Sequence, residues 1–197
     1  MTDAVTIREA DAADAARLLE IYAYYVQNTA ITFEYDVPSL SEFQRRIRNT
    51  KRRYPYLVIE RDGVIRGYAY AGPFVGRAAY DWSCELSIYL DREYRGDGLG
   101  RRLYGMLMEI LKLQGVRNVY GCVTIPNPRS ERLHGSMGFE KLGTFHHTGC
   151  KNGRWVDVAW YERQIGSLDG DPRPVTPIGE IEEDKLREIL RGKGGTL

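Results

Sequence analysis

The chain has 197 residues, 43% of them hydrophobic and 28% charged, which suits one domain, or one domain with an appendage, whose core needs no disulfide or metal staple. Lys+Arg 28 against Asp+Glu 27 leaves a net charge of +1, which argues against a dedicated nucleic-acid binder. No apolar run approaches the roughly 18 residues of a membrane span, and the first sixteen residues mix acids and alanines unlike a signal peptide.

Val5-Thr6-Ile7 reads as a first strand. Asp11 then caps a helix whose apolar positions are Ala15, Leu18, Leu19, Tyr22, Tyr25 and Val26. Ser39-Leu40-Ser41-Glu42 matches a capping box, with Leu40, Phe43 and Ile47 on one helical face behind it. Asp62-Gly63 between Tyr56–Glu60 and Val64–Tyr70 is a hairpin signal, and Gly72-Pro73 is expected to break the second strand. From Asp81 to Leu90 the chain alternates: Trp82, Cys84, Leu86, Ile88 and Leu90 on one face, Ser83, Glu85, Ser87 and Tyr89 on the other. A glycine-rich turn, Arg95-Gly96-Asp97-Gly98-Leu99-Gly100, leads into a helix with Leu103, Leu107, Ile110 and Leu111 inward and Gly115 at its end. A strand over Val116–Ile125 follows, then a short helix opened by Pro126-Asn127-Pro128 and stopped by Gly138. Strands over Phe139–Thr148 and Trp155–Ile165 complete the pattern. After Gly166, Pro172, Pro174 and Pro177 read as an extended linker before a short charged helix over Glu180–Arg191. The order β-α-α-β-β-β-α-β-α-β-β describes a mixed α/β domain.

The glycine turn carries the first chemical signal. Between a strand and a helix it leaves backbone N–H groups free at a helix N-terminus, and with Arg95, Arg101 and Arg102 it suits phosphates. No Gly-Lys-Ser/Thr follows, and Arg101 stands where a dinucleotide fingerprint needs its third glycine; the motif is R-x-x-G-x-G, which also reads as a tight loop without a ligand. Glu85 lies among apolar and small residues, where an unpaired carboxylate is costly, so it reads as a general base or as a strand Glu facing solvent or a cation. His134 reads as a proton donor, an orienting group or a packed helix-face histidine, and Asn127 as a helix cap or a ligand contact. Arg45, Arg46, Arg48, Lys51, Arg52 and Arg53 read as a solvated helix face, or as a surface for nucleic acid or membrane. Cys84, Cys122 and Cys150 fit no zinc spacing and no disulfide framework; reduced thiols in a cytoplasm, with no metal, are expected.

R-x-x-G-x-G after a strand, then Asn127 and Leu133-His134-Gly135-Ser136-Met137-Gly138-Phe139, resembles the GNAT superfamily of N-acetyltransferases. Within it, Thr32-Phe33-Glu34, Ala71-Gly72-Pro73-Phe74, Arg77–Trp82, Glu85–Tyr89 and Gly149–Val158 resemble the phosphinothricin and methionine sulfoximine acetyltransferases. The resemblance covers about residues 5 to 165 and extends to Pro172-Arg173-Pro174-Val175. It implies a GNAT domain over 1–166, a mostly antiparallel mixed sheet flanked by helices, and a Pro-containing extension over 167–197 with a short helix. It implies acetyl-CoA as co-substrate and direct transfer to the amine of a small amino-acid-like molecule; a polyamine, an antibiotic or a protein N-terminus is the alternative acceptor. Coenzyme phosphates would lie on Gly96, Asp97, Gly98, Leu99, Gly100 and Arg101, and the pantetheine arm along Ile88, Tyr89 and Leu90, with Asn127 and Ser136 nearby. Glu85 would be the base, and His134 the acid or an orienting group. Phe33, Val75, Gly76, Arg77, Tyr80, Glu85, Leu86 and Ser87 would form the acceptor side, where Val75 replaces a basic residue of phosphinothricin-type enzymes. Lys151, Arg154 and Trp155 would shape that side near a dimer contact, since such relatives are commonly homodimers.

Overall fold

The computed structural model describes residues 4–94 and 98–192. Its strands are β1 Val5–Glu9, β2 Tyr56–Arg61, β3 Val64–Pro73, β4 Ser83–Leu90, β5 Asn118–Ile125, β6 Glu140–Lys151 and β7 Arg154–Gln164. Its helices are α1 Ala15–Asn28, α2 Leu40–Thr50, α3 Leu99–Gln114, α4 Pro128–Ser136 and α5 Glu183–Leu190. The strands form one sheet in the order β1-β2-β3-β4-β5-β7-β6. Every neighbouring pair is antiparallel except β4 and β5, which run parallel.

Local chemistry explains the elements. Asp62 and Gly63 both take positive φ, 53° and 75°, so a two-residue turn joins β2 to β3 with the twist a hairpin needs. Asp11 accepts from Ala13 N at the entrance to α1, and Ser39 accepts from Glu42 N at the start of α2. Strand alternation then divides the core. Tyr56, Val58 and Tyr68 meet α1 and α2 on one face of the sheet, while Leu57, Ile59, Ala69 and Ala71 meet α3 on the other. Leu103, Leu107, Ile110 and Leu111 of α3 are fully buried, each stabilising the fold by about 1.5–3 kcal/mol.

Two expectations are corrected, on Gly72-Pro73 and on the segment after Gly166. Gly72-Pro73 does not interrupt β3, which continues in register to the pair Pro73↔Cys84; a proline is tolerated at a strand end, where its missing donor breaks no ladder. Only Cys84 and Leu86 of the apolar face of β4 are buried, whereas Ile88 and Leu90 are half-buried because they border a cleft. The segment after Gly166 is not a free linker. Val175, Ile178 and Leu186 join the main core, Trp82 Nε1 donates to Arg173 O at 2.7 Å, and Gln114 Nε2 donates to Thr176 O at 2.7 Å.

Candidate active site

The site is built on a break in the sheet. β4 and β5 pair only over Ser83–Glu85, and the strands part beyond it. Trp82 C=O accepts from Arg117 N at 2.8 Å and Asn118 N at 3.2 Å, so the even-numbered residues of β4 direct their backbone groups toward β5. Past the break, tyrosine hydroxyls take two of these positions. Tyr104 Oη donates to Leu86 O at 3.2 Å. Tyr25 Oη donates to Leu90 O at 2.6 Å and accepts from Leu90 N at 3.3 Å. Between them, the outward N–H and C=O of Ile88 meet no partner among the described residues. Tyr89, one residue on, faces its backbone toward β3 and packs its ring against Tyr22, Tyr25 and Tyr68. Of the three residues expected to pair with a pantetheine arm, Ile88 alone has backbone groups both open and facing the gap.

Two clefts occupy the opening. The outer one, about 490 Å³, is bordered by Tyr25, Ile88, Leu90, Gly98, Gly100, Arg101, Asn127 and Ser136. The inner one, about 210 Å³, holds Phe33, Glu85, Leu86, Ser87, Tyr104, Cys122 and His134. Ile31, Ile88, Asn127 and Ser130 border both, so the two are continuous along the open edge of β4.

At the outer end the residues fit a diphosphate. Gly98 has φ +75° immediately before α3, a conformation that favours glycine, and the first-turn amides of that 16-residue helix are positive donors. A Cβ on Gly100 would lie 3.2 Å from Leu90 Cδ1, so glycine there brings α3 close to β4. Leu99 is buried in the core and can offer only its backbone. Arg101 Nη1 donates to Ser136 O at 3.0 Å, tying α3 to α4. Gly96 and Asp97, with Arg95, lie outside the described residues. Asn127 Oδ1 caps α4 by accepting from Ser130 N at 3.3 Å, and the residue borders both clefts. Ser136 Oγ donates to Leu133 O at 2.9 Å.

At the inner end, burial pushes the Glu85 carboxyl above its ordinary range, and no donor among the described residues bonds it. His134 is 2% exposed. Its Nδ1 lies 2.8 Å from Ser130 O, an acceptor, so Nδ1 carries the proton; Nε2 is buried against Gly121 without a partner among the described residues. Burial lowers its pKa, and its ring packs against Tyr104, Phe139 and Tyr161. Cys122 is exposed on the cleft wall, yet desolvation first, then Glu85, pushes its thiol up to about 12, which makes it a poor nucleophile.

The acceptor side is only partly assembled around Glu85. Phe33, Leu86 and Ser87 border the inner cleft. A Cβ on Gly149 would lie 2.4 Å from the Phe33 ring, so glycine lets that ring lie flat on β6. Lys151, 2% exposed, donates to Glu34 O, and Tyr35 Oη donates to Cys150 O at 2.6 Å; β6 thus fixes the loop that carries Phe33. Val75, Gly76, Arg77 and Tyr80 lie on an exposed loop bordering neither cleft. That loop is anchored by Phe74, stacked 4.0 Å from Tyr120, the register partner of Glu85. Arg154 and Trp155 border a neighbouring cleft that shares Ile31, Thr124 and Asn127 with the inner one. Among the described residues no group of His, Cys, Asp and Glu could hold a metal ion, and no helix is long and apolar enough to cross a membrane. Tyr25 and Tyr104 escape a reading of periodicity because their positions mark them only as core.

A family model described as an acetyltransferase (GNAT) domain matches residues 7–160. Phosphinothricin N-acetyltransferase of Streptomyces viridochromogenes is 37% identical over 177 residues, covering 90% of this chain and 96% of that protein. An L-methionine sulfoximine/L-methionine sulfone acetyltransferase of Salmonella typhimurium is 32% identical, over 82% of this chain and 95% of that protein. Among solved structures, a GNAT superfamily phosphinothricin acetyltransferase from Sinorhizobium meliloti in complex with AcCoA superposes with a TM-score of 0.83 at 37% identity, covering 86% of this chain and 93% of that one.

Proposed function

Because the chain belongs to the GNAT acetyltransferase family, we propose that it transfers acetyl from acetyl-CoA to the amine of a small amino-acid-like acceptor of the phosphinothricin and methionine sulfoximine type, by direct attack. One observation carries the reading: an unpaired strand edge at Ile88 runs from a glycine turn suited to phosphate to a half-buried carboxylate suited to accept a proton.

In this reading the amides of Gly98 and the first turn of α3 hold the diphosphate, and Ile88 and Asn127 take the amide-rich arm by strand addition. The Ile88 N–H stands where it can donate to oxygen charge developing on the thioester carbonyl. Glu85 accepts the amine proton, directly or through water. An α-amine near pKa 8 costs only about 1.4 kcal/mol to deprotonate at pH 7, within reach of a carboxylate whose pKa burial has raised. His134 orients: its one proton is engaged by Ser130 and its charged form is disfavoured, so it supports Tyr104 and the cleft wall. An alkyl thiolate with a pKa of about 8.5 is a fair leaving group without a dedicated acid.

The reading extends to a homodimer in the cytoplasm. The edge strand β6 exposes Leu142 and Phe145, which supports a second copy there, and the thiols of Cys84, Cys122 and Cys150 are free. Nucleic acid and membrane have no part in it: Arg46 pairs with Glu34 and Glu42, Lys51 with Glu9, and Arg53 with Asp81, which dampens the basic run. The test is thiol release from acetyl-CoA against phosphinothricin, methionine sulfoximine, methionine sulfone, a polyamine and an N-terminal peptide. Turnover is expected on the amino-acid analogues. Turnover only on the polyamine or peptide would reassign the acceptor, and no release on any would overturn the transferase reading.

A further inference from the structure

We propose that Tyr25 and Tyr104 are positioning residues that set the register of the coenzyme arm on β4, by occupying the backbone groups on either side of Ile88. The inference rests on the reading that an acyl-coenzyme A arm adds to this strand.

An open strand edge offers an added segment equivalent pairing positions every two residues, about 7 Å apart, and by itself does not choose among them. Past the break with β5, the edge of β4 has three such positions: Leu86, Ile88 and Leu90. Two are already taken. The Tyr104 hydroxyl, from a side chain 1% exposed on α3, holds Leu86 O. The Tyr25 hydroxyl, from a side chain 6% exposed on α1, both donates to and accepts from Leu90. The two side chains reach the same strand edge from helices on opposite faces of the sheet. Tyr25 borders the outer cleft, Tyr104 the inner cleft, and Ile88 both. A single free position therefore fixes how far an arm anchored at Gly98 extends toward Glu85. Burial holds the Tyr104 hydroxyl far from ionisation, so it keeps the proton it donates.

Tyr25→Phe tests the idea with the smallest change. It leaves the N–H and C=O of Leu90 without the hydroxyl, and the arm is then the partner able to satisfy them, about 7 Å from the productive register. Bound but misaligned coenzyme is non-productive, so kcat and KM for acetyl-CoA should fall together, at least threefold, with kcat/KM unchanged within twofold. A merely structural role would raise KM, or lower kcat/KM along with Tm. Tyr104→Phe is expected to show the same paired fall. A crystal structure of Tyr25→Phe with coenzyme A should show the arm amide on Leu90 instead of Ile88. Kinetics like the wild type, a KM that rises, or an arm still on Ile88 would overturn the proposal. If wild-type protein soaked with coenzyme A leaves the β4 edge bare, the transferase reading itself fails; an arm on Ile88 in both proteins sinks only the role of the tyrosines.

Discussion

Glu85 is a carboxylate held where its charge is disfavoured. Its pKa is raised by burial, so the native state holds this proton more tightly than the unfolded chain does. The sign follows: stability from this group is fully present below the ordinary carboxylate range and is lost as pH rises through the raised pKa. Glu85→Gln should therefore melt at a higher temperature than the wild type above that pKa and match it at low pH, by calorimetry across pH. The same substitution should lower kcat at least tenfold and remove the rise of kcat/KM with pH through that pKa, with little change in coenzyme affinity. An unchanged pH–rate profile would remove Glu85 from the base role. At His134, residue type alone leaves acid, orienter and packing open; burial and the Ser130 contact support the orienting role proposed for it. Gly121 records the same constraint from below, since a Cβ there would lie 2.3 Å from His134 Nε2.

Elements with short-range causes are legible in the sequence. Asp62-Gly63 forces the hairpin, the Asp11 and Ser39 caps start α1 and α2, and the alternation of β4 correctly opposes Glu85 to Leu86. Features set by distant partners are not. Nothing near Glu85 in the chain says that β5 departs after three paired residues, or that tyrosines on two helices reach the exposed edge. The tail is a second case: its prolines resemble those of a linker, while Val175, Ile178 and Leu186 are too sparse to form a periodic signal. Those three side chains bury about 1.5–3 kcal/mol each. A chain ended at Gly166 should thus lose at least about 4 kcal/mol in urea unfolding and expose the side of α3 that the tail, held by Gln114 and Trp82, now covers. Unaltered stability would show that the tail rests on the domain without supporting it.

The whole molecule is a seven-stranded sheet whose last strand, β6, is long and largely exposed, with Phe145 57% and Leu142 54% accessible. Unpaired edges of this kind invite a second copy, and a two-fold pairing would bring each hydrophobic patch onto its equivalent. Light scattering should give twice the mass of 22.6 kDa, and Phe145→Glu should shift the population to the monomer. A wild-type monomer at tens of micromolar would refute the pairing. The parting of β4 from β5 has a last consequence. The left and right halves of the sheet are laced together by three rungs, and the rungs that should follow are missing. In the proposed reaction the donor supplies the one left open, at Ile88, acting for a moment as a borrowed eighth strand. Each catalytic cycle then mends the sheet on loading and unpicks it on discharge, so departure of the spent carrier is a small act of unzipping as well as a diffusion.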